Sequence, residues 1–322
     1  MKYLITGGGG FIGSNIAHEL VRRNEKVRVL DNFATGRKVN LAGIEDKIEL
    51  MEGDIRDFWT VREAVEGVDY VLHQAALPSV PRSVKNPLTS NSVNIDGTLN
   101  LLEASKQAGV KRFVFASSSS VYGDTPELPK HEKMWMDPLS PYAVTKLAGE
   151  KYCKVFYELY GLETVALRYF NIFGPRQDPG SEYAAVIPKF INALLAGRSP
   201  VIFGDGEQSR DFTFVANAVE ANLLAAKAPG IAGKYFNIAV GGQYTLNTLV
   251  KMLQEIIGSD IKPKYDPPRK GDILHSFADI SRARNEMGFN PKVDFASGLK
   301  MTVEWFTAQF QNRTPVGGIR VK

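Results

Sequence analysis

The first half of the chain alternates short apolar runs with longer stretches in which apolar residues recur at helical spacing. Apolar runs without polar alternation are typical of parallel strands that are buried on both faces. The alternation of the two patterns predicts βαβ units and a doubly wound α/β fold. The predicted strands are Tyr3–Thr6, Val27–Leu30, Ile48–Glu52, Tyr70–His73, Phe113–Ala116 and Thr164–Arg168, and the predicted helices are Phe11–Arg23, Val61–Val65, Val93–Ala108 and Tyr142–Tyr160.

The pattern changes after about Phe170, where prolines such as Pro175 and Pro179 interrupt the chain. We therefore expect a nucleotide-binding domain over residues 1–170 and a smaller C-terminal α/β substrate lobe over residues 171–322, some segments of which return to the large sheet. Ligands of such sheets bind outside the carboxyl ends of the strands. The helices predicted in this second part are Val186–Leu195, Ala218–Ala228, Leu246–Ile257 and Phe295–Phe310.

Composition narrows the class of protein. With 322 residues and 44% hydrophobic residues, the chain has enough apolar surface for a large folded core. The net charge of +4 is spread over the whole sequence, and the densest groups of basic residues are short. Both observations argue against a nucleic-acid-binding face. No apolar run approaches the roughly 20 residues that span a bilayer, and the glycine run near the start leaves no room for a secretory leader. We expect a cytoplasmic protein without membrane or nucleic-acid partners.

Metal and thiol chemistry have little support in the sequence. Cys153 is the sole cysteine, which excludes an intrachain disulfide and a thiolate metal site. Its place in a helical pattern favours a small packed residue over a nucleophile. The four histidines, His18, His73, His131 and His275, are widely spaced, and we expect no metal site.

A glycine-rich loop lies between the first predicted strand and the first predicted helix. Gly7, Gly10 and Gly13 have the spacing G-x-x-G-x-x-G, which permits a tight turn, close approach of a pyrophosphate and close packing of helix on strand. Asp31 stands at the end of the next strand, where a carboxylate binds ribose hydroxyls and repels a 2′-phosphate. The combination predicts a Rossmann-type domain that prefers NAD to NADP, with Asp54 beside the adenine.

A second cluster of polar residues follows the predicted strand Phe113–Ala116. Serines occupy positions 117 to 120, and Tyr142 and Lys146 lie four residues apart on one helical face. A lysine ammonium near a tyrosine favours the phenolate, and a serine hydroxyl can hold the substrate oxygen while its proton moves. An isolated Y-x-x-x-K would suit a packed helix with a solvated lysine. In a chain that also has the glycine loop and Asp31, the Y-x-x-x-K spacing favours a catalytic site.

These residues resemble the extended short-chain dehydrogenase/reductase family over nearly the whole chain. The matching segments are TGGGGFIG, LDN, GDI, HQAA, SSSSVYG, SPYAVTK, RYFNIFGPRQDP, GDGEQSRDFTFV and RKGD. Within the family the chain resembles nucleotide-sugar 4-epimerases, and most closely those that act on UDP-N-acetylhexosamines. The resemblance implies a homodimer formed through the helices Val93–Ala108 and Tyr142–Tyr160.

The resemblance also implies roles for particular residues. Tyr142 is the expected acid and base at the sugar C4 hydroxyl, Lys146 is expected to bind the nicotinamide ribose and lower the tyrosine pKa, and Ser118 matches the catalytic hydroxyl residue. The residues expected to contact NAD are Gly7, Gly10, Phe11, Ile12, Gly13, Asp31, Asn32, Gly36, Asp54, Ile55, Ala75, Ala76, Asn94, Tyr142, Lys146 and Phe170. The residues expected to contact the UDP-sugar are Ser79, Ser118, Ser119, Ser120, Tyr142, Asn171, Ala185, Val186, Phe203, Arg210, Arg269, Asp272 and Ser276.

A few positions separate the branches of this family. Sugar 4,6-dehydratases carry Asp and Glu where this chain has Ser119 and Ser120, and uronate-acting relatives often carry Thr in place of Asn171. Epimerases restricted to plain hexoses tend to have Lys, Asn and Tyr at the positions of Pro78, Ala185 and Ser276, respectively.

We therefore expect UDP-GlcNAc/UDP-GalNAc 4-epimerisation, with UDP-glucose/UDP-galactose as an open second activity. A 4-epimerase limited to plain hexoses is the enzyme alternative. A non-catalytic NAD-binding scaffold is the alternative from another class, although such proteins commonly lose the tyrosine or the lysine.

Overall fold

The computed structural model describes residues 1–180, 185–268 and 273–313. In chain order the strands are β1 (Lys2–Thr6), β2 (Lys26–Asp31), β3 (Ile48–Glu52), β4 (Tyr70–His73), β5 (Arg112–Ser118), β6 (Thr164–Tyr169), β7 (Ile172–Phe173), β8 (Val201–Phe203), β9 (Ser209–Arg210), β10 (Thr213–Phe214), β11 (Lys234–Ile238), β12 (Tyr244–Thr245), β13 (Lys264–Asp266) and β14 (His275–Ser276). The helices are α1 (Phe11–Arg22), α2 (Phe58–Val65), α3 (Val80–Lys85), α4 (Pro87–Asn91), α5 (Gly97–Gln107), α6 (Pro141–Tyr160), α7 (Val186–Leu195), α8 (Val215–Lys227), α9 (Leu246–Ile257), α10 (Ser281–Met287) and α11 (Phe295–Arg313).

The large sheet has seven parallel strands in the order β11-β6-β5-β4-β1-β2-β3. The order of connection reverses between β1 and β4, so a crevice opens outside the carboxyl ends of these two strands. All six strands predicted from the apolar runs are present, and the predicted Rossmann-type fold is confirmed. The crevice between β1 and β4 is where such a sheet binds its ligand.

The apolar pattern did not identify the two edges of the sheet. The segment Ile48–Glu52 was expected to be buried, but β3 is the edge strand and pairs only with β2, so it is largely open to solvent. The opposite edge is β11, a strand that the apolar pattern did not single out. It lies well beyond residue 171, so the second part of the chain returns to complete the first sheet.

Helices cover both faces of the sheet because successive strand residues point to opposite sides. Tyr3, Ile5 and Val29 are fully buried in the core beneath α1 and α8. Leu4 and Phe113 are fully buried in the core on the other side, beneath α2, α5 and α6. Burial of both faces explains why these strands read as continuous apolar runs.

Helix α6 carries the tyrosine and the lysine singled out above. Ser140 caps its N-terminus by accepting a hydrogen bond of 3.2 Å from the Ala143 amide, and Pro141 occupies the first turn. The helix ends at Gly161, whose φ of +71° is left-handed. These signals fix where α6 begins, and with it the direction in which its first turn faces.

The smaller lobe packs around a cluster of aromatic rings. Phe173 makes edge contacts with Phe212, Phe214 and Phe295, at centroid distances of 6.4, 5.7 and 5.6 Å. Helices α7, α9 and α11 close over these rings. Among the residues described, none of the helices is both long and apolar enough to cross a membrane.

The glycine turn gives a stability prediction. A Cβ at Gly13 would collide with the carbonyl oxygen of Gly7, whereas a Cβ at Gly10 would lie 3.1 Å from the same atom. Gly13→Ala should therefore lower the free energy of unfolding by more than the ~1–3 kcal/mol typical of overpacking, and Gly10→Ala by less than Gly13→Ala. Urea unfolding of both variants measures the order, and equal losses would contradict it.

Candidate active site

The glycine loop occupies the crevice between β1 and β4. Gly7 has a left-handed φ of +70°, and a Cβ there would lie 2.7 Å from the backbone of Ala75, which follows β4. Gly10 is the N-cap of α1 and adopts an extended conformation. The loop thus brings backbone N–H groups and the positive end of the α1 dipole to this edge of the sheet, as a pyrophosphate requires.

Asp31 lies at the end of β2, beside this loop. Its two carboxylate oxygens accept backbone hydrogen bonds of 2.8 Å, one from Gly9 and one from Phe33. A Cβ at Gly36 would lie 2.8 Å from the same carboxylate. Burial raises the pKa of Asp31, and the two N–H donors oppose this effect. Each oxygen keeps a second lone pair, which suits two ribose hydroxyls.

The residues expected near the adenine are also next to one another. The Asn32 amide donates to Asp54 over 2.9 Å, and the Arg56 guanidinium holds the pKa of Asp54 at about 2. Ile55 is buried against Gly97, where a Cβ would lie 2.6 Å from its Cδ1 atom. These residues form one wall of the crevice. The glycine loop, Asp31 and this wall fit NAD, and they are the residues that would hold it.

His73, at the end of β4, links this cradle to the neighbouring helices. Its Nδ1 lies 2.7 Å from Thr6 Oγ1, and its Nε2 lies 2.9 Å from Thr98 Oγ1. Thr98 already donates its hydroxyl proton to the Asn94 carbonyl, so Nε2–H of His73 must be the donor to Thr98. Burial lowers the pKa of His73 to about 3, and the positive charge of Lys146 adds to the effect. His73 is therefore a neutral structural link.

Asn94 continues that link towards α6. It sits in a π-helical turn just before α5, with its side chain bonded to both backbone groups of Leu77. Its amide also donates to Thr145 over 3.1 Å, and Thr145 donates to the Tyr142 carbonyl over 2.7 Å. Asn94 was expected to contact NAD. In the protein alone its side chain serves to hold the loop after β4 against the first turn of α6.

Ser118, Tyr142 and Lys146 come together at the carboxyl edge of β5. The Ser118 hydroxyl is near enough to the Tyr142 phenol to lower its pKa. Lys146 is 4% exposed, and its Nζ donates to the Ala116 carbonyl over 2.7 Å and lies 5.8 Å from the centre of the Tyr142 ring. The spacing of four residues on α6 thus places the phenol and the ammonium side by side, as the sequence predicted.

The pKa of Tyr142 does not follow the sequence expectation. Burial raises it to about 12, and the nearby Ser118 hydroxyl only partly opposes this effect. Burial also lowers the pKa of Lys146 to about 8. The Lys146 ammonium points to the Ala116 carbonyl rather than to the phenol oxygen, so the polypeptide alone keeps Tyr142 protonated.

The serines after β5 have different surroundings. Ser118 Oγ accepts from the Ser120 amide at 3.2 Å, which holds the turn containing Ser119. Ser120 Oγ is buried and lacks a hydrogen-bond partner among the described residues. Buried hydroxyls usually have a partner, so a ligand is a candidate to supply it. Ser117 faces inward and donates to Glu150 over 2.5 Å.

Glu150 belongs to a buried ion pair that the sequence reasoning missed. It accepts two hydrogen bonds from the fully buried Arg168 on β6, at 2.8 and 2.6 Å. Arg168 also donates to the Tyr122 hydroxyl over 2.8 Å. The available signal was an arginine inside an otherwise apolar strand, since a buried arginine needs an acidic partner.

The residues expected on the sugar side lie on the smaller lobe and on loops near the sheet. Arg210 and Ser276 are direct partners in the pairing of β9 with β14. Arg210 Nη1 donates to the Ser209 and Leu274 carbonyls at 2.8 and 3.1 Å, so part of its guanidinium is bound within the lobe. Asn171 follows β6 with a left-handed φ of +35°.

The remaining expected contacts are scattered over several elements. Ser79 has a left-handed φ of +98° and caps α3, while Ala185 precedes α7 and Val186 begins it. Phe203 ends β8, and Phe170 is fully buried beside Tyr122 at a ring distance of 6.2 Å. Phe11, Ile12 and Ala76 are partly buried at the crevice. Arg269 and Asp272 lie outside the described residues.

Comparison with known proteins shows the family. The model of the NAD dependent epimerase/dehydratase family matches residues 3–239. The chain belongs to this family. NAD is accordingly its cofactor, and the protein is an enzyme of the extended short-chain dehydrogenase/reductase group.

Similar proteins match this family member over nearly their whole length. A putative UDP-glucose 4-epimerase of Methanocaldococcus jannaschii is 40% identical over 97% of this chain and 99% of its own. The structure of the UDP-N-acetylglucosamine 4-epimerase from Methanobrevibacter ruminantium, in complex with UDP-N-acetylmuramic acid, is 45% identical with a TM-score of 0.92, and covers 96% of this chain and 98% of its own. The UDP-glucose 4-epimerase of Thermotoga maritima, with UDP-glucose, is 40% identical with a TM-score of 0.92, over 96% and 100%.

The neutral His73 gives a pH prediction. Its pKa is lower in the folded protein than the ordinary 6.5, so the unfolded chain binds a proton below pH 6.5 that the folded protein does not bind. This group adds stability above pH 6.5 that is lost as the pH falls towards 3, with a slope of at most about 1.4 kcal/mol per pH unit. His73→Gln should therefore unfold more easily at pH 7 and show a shallower loss between pH 6 and 4. Urea unfolding at several pH values measures both, with His131→Gln as control, and parallel pH profiles would contradict the prediction.

Proposed function

We propose that this enzyme is a UDP-hexose 4-epimerase that interconverts UDP-GlcNAc and UDP-GalNAc through a transient 4-keto sugar. The observation that carries the proposal is the meeting of Ser118, Tyr142 and Lys146 beside the NAD cradle. The relatives named as UDP-sugar 4-epimerases at 40% to 45% identity support the reaction class.

In the proposed reaction the Tyr142 oxygen takes the proton of the sugar C4 hydroxyl and later returns it. The Ser118 hydroxyl holds the substrate oxygen while that proton moves. Bound NAD would supply a positively charged ring that favours the Tyr142 phenolate and a reversible acceptor for the C4 hydride. The ammonium of Lys146 adds to the positive potential at the phenol.

The keto sugar must turn about its link to the diphosphate, so that its other face meets Tyr142 in the return step. Arg210, with Arg269 from the sequence pattern, suits the diphosphate because a planar guanidinium can donate two parallel hydrogen bonds. The buried and unpartnered Ser120 hydroxyl is a further candidate to contact the sugar. An anchored diphosphate permits rotation of the ketone without its release.

Small side chains support the preference for N-acetylated sugars. Ser276 lies opposite Arg210 in the lobe sheet, and Ala185 precedes α7. Both are small at positions where relatives restricted to plain hexoses have larger residues. The relative from Methanobrevibacter ruminantium supports this preference, while that from Thermotoga maritima supports UDP-glucose/UDP-galactose as a second activity.

We further propose that the enzyme works in the cytoplasm as a homodimer, with α5 and α6 of each copy forming a four-helix bundle. Helix α6 exposes a row of apolar side chains at helical spacing. Val144, Val155 and Leu159 are 48%, 40% and 70% exposed, respectively. An exposed apolar row of this kind is typical of a surface that packs against another helix.

The role of Tyr142 can be tested by removing one oxygen atom. Tyr142→Phe keeps the ring but deletes the group that carries the proton, so epimerisation of UDP-GlcNAc should fall by about 10²–10⁴-fold. Chromatographic separation of the two epimers measures the rate, and circular dichroism checks the fold. Tyr160→Phe, at the exposed end of the same helix, is the control that should keep its activity. Near wild-type turnover in Tyr142→Phe would move the chemistry elsewhere.

The substrate preference can be tested by filling the space at Ser276. Ser276→Tyr should hinder the N-acetyl group more than a hydroxyl at C2, because overpacking costs ~1–3 kcal/mol, which corresponds to roughly a tenfold or greater loss. The ratio of kcat/KM for UDP-GlcNAc to that for UDP-glucose should fall accordingly. Ser281→Tyr, at the exposed start of α10, serves as control. An unchanged ratio would remove Ser276 as the determinant of size.

A further inference from the structure

The Arg168–Glu150 pair is one end of a longer buried network. Tyr122 accepts from Arg168 and donates its own proton to Asn237 Oδ1 on β11, over 2.7 Å. The Asn237 amide nitrogen donates in turn to the carbonyls of Lys130 and Asp279, at 2.9 and 3.2 Å. Tyr122 and Asn237 are both fully buried. The network therefore runs from the catalytic edge of the sheet to the segment just after β14.

The same connection is made through the backbone. Lys130 pairs with the segment around Ala278, because its amide donates to the Phe277 carbonyl and its carbonyl accepts from the Asp279 amide, each over 2.9 Å. The Glu132 carboxylate accepts a hydrogen bond from the backbone N–H of Asn237, also over 2.9 Å. Residues 277–279 directly follow Ser276. The hydrogen bonds of these residues therefore also restrict the position of Ser276 relative to Asn237.

The other end of the network lies under the catalytic residues. Glu150 is on α6, one helical turn after Lys146 and two turns after Tyr142, and it also accepts from Ser117 next to Ser118. Tyr122 closes the turn that begins at Ser118. Its ring lies 4.8 Å from the Arg168 guanidinium. One phenol hydroxyl therefore joins the elements that carry Ser118 and Tyr142 to the segment that carries Ser276.

We propose that Tyr122 is a positioning residue whose hydroxyl, through Asn237, fixes the sugar wall at Ser276 relative to Tyr142 while the keto sugar turns. Tyr122 is buried and touches no reacting atom in this role. The inference rests on the proposed epimerisation, because only a reaction with a free ketone needs the wall to stay in place between two hydride transfers. If the wall is loosened, the ketone leaves before it is reduced again. Each ketone that leaves has lost one hydride, which would remain on the enzyme as reduced nicotinamide, and the C4 hydroxyl proton, which Tyr142 has taken.

The test deletes the hydroxyl and keeps the ring. Tyr122→Phe removes the bonds to Asn237 and Arg168, whereas Tyr235→Phe alters the second ring on the same arginine, 4.1 Å from its guanidinium, outside the network. In Tyr122→Phe the ratio of ketone released to epimer formed should rise about tenfold, the factor typical of one lost charge-assisted hydrogen bond. Reduced nicotinamide that accumulates on the enzyme reports this ratio by absorbance. The ratio should not change in Tyr235→Phe.

A second variant addresses the possibility that Tyr122→Phe folds poorly. Asn237→Ala breaks the network at its other end, and the double variant should release no more ketone than the more affected single variant, because both act through one bond. Additive effects, or an unchanged ratio in folded single variants, would overturn the proposal.

Hydrogen exchange separates this inference from the proposed function. The amides of residues 276–279 should exchange faster in Tyr122→Phe than in the wild type or Tyr235→Phe, whether or not any sugar is turned over. Faster exchange supports the link between Tyr122 and the sugar wall, and unchanged exchange overturns it. Absence of epimerisation by the wild-type enzyme with every UDP-hexose would instead refute the proposed function.

Discussion

The ion pair between Arg168 and Glu150 is the interaction on which the catalytic edge of the sheet depends. Burial of two charges costs several kcal/mol per ion, and the cost is offset only when geometry is good and the remaining donors and acceptors are satisfied. Here the guanidinium bonds to Glu150 twice and to Tyr122 and Met136, and lies between two tyrosine rings. Loss of either partner leaves an uncompensated buried charge, at a cost of about 3–5 kcal/mol. The pair therefore fixes where β5, β6 and α6 meet.

Backbone strain is concentrated at the same edge of the sheet. Phe33, Ser79, Asn171 and Arg176 have left-handed φ values of +54°, +98°, +35° and +69°, although none of them is glycine; in the described part of the chain the other such residue is Asn24, which follows α1. The first four follow β2, β4, β6 and β7, respectively. Such conformations cost about 1–3 kcal/mol each and persist where the surroundings enforce them, commonly at binding sites. The strained positions surround the crevice on several sides, in agreement with a site that is preformed around its ligands.

The apolar pattern predicted the strands that are buried on both faces, because such strands need continuous runs of apolar residues. It predicted α6 well, since Ser140, Pro141 and Gly161 mark both of its ends. It did not identify β11, because the five residues Lys234–Ile238 mix polar and apolar types without a clear period and form a strand only by pairing with β6. It could not identify the hydrogen-bond partners of His73, because Thr6 and Thr98 come from other parts of the chain.

For the chemistry of the site, the sequence predicted which residues come together but not their pKa values or buried partners. Residue types and spacing were enough to bring Ser118, Tyr142 and Lys146 together. The pKa of Tyr142 depends on burial and on where the lysine points, and both are set by tertiary packing rather than by spacing. The partners of Arg168 come from α6, the turn at Tyr122 and the segment around Met136, which lie far from it in sequence, so local patterns cannot predict them.

The return of β11 to the large sheet has a consequence for how this chain can be divided. Cutting after residue 170 would remove the strand that covers β6 and the helix α8 that covers one face of the sheet. Residues 1–170 alone would therefore lack one edge strand of the large sheet and part of the core on one of its faces. An exchange of substrate lobes between relatives would have to preserve α8 and β11 and replace only the segments between and after them. Diversity of substrates in such a protein is then confined to insertions around a continuous framework.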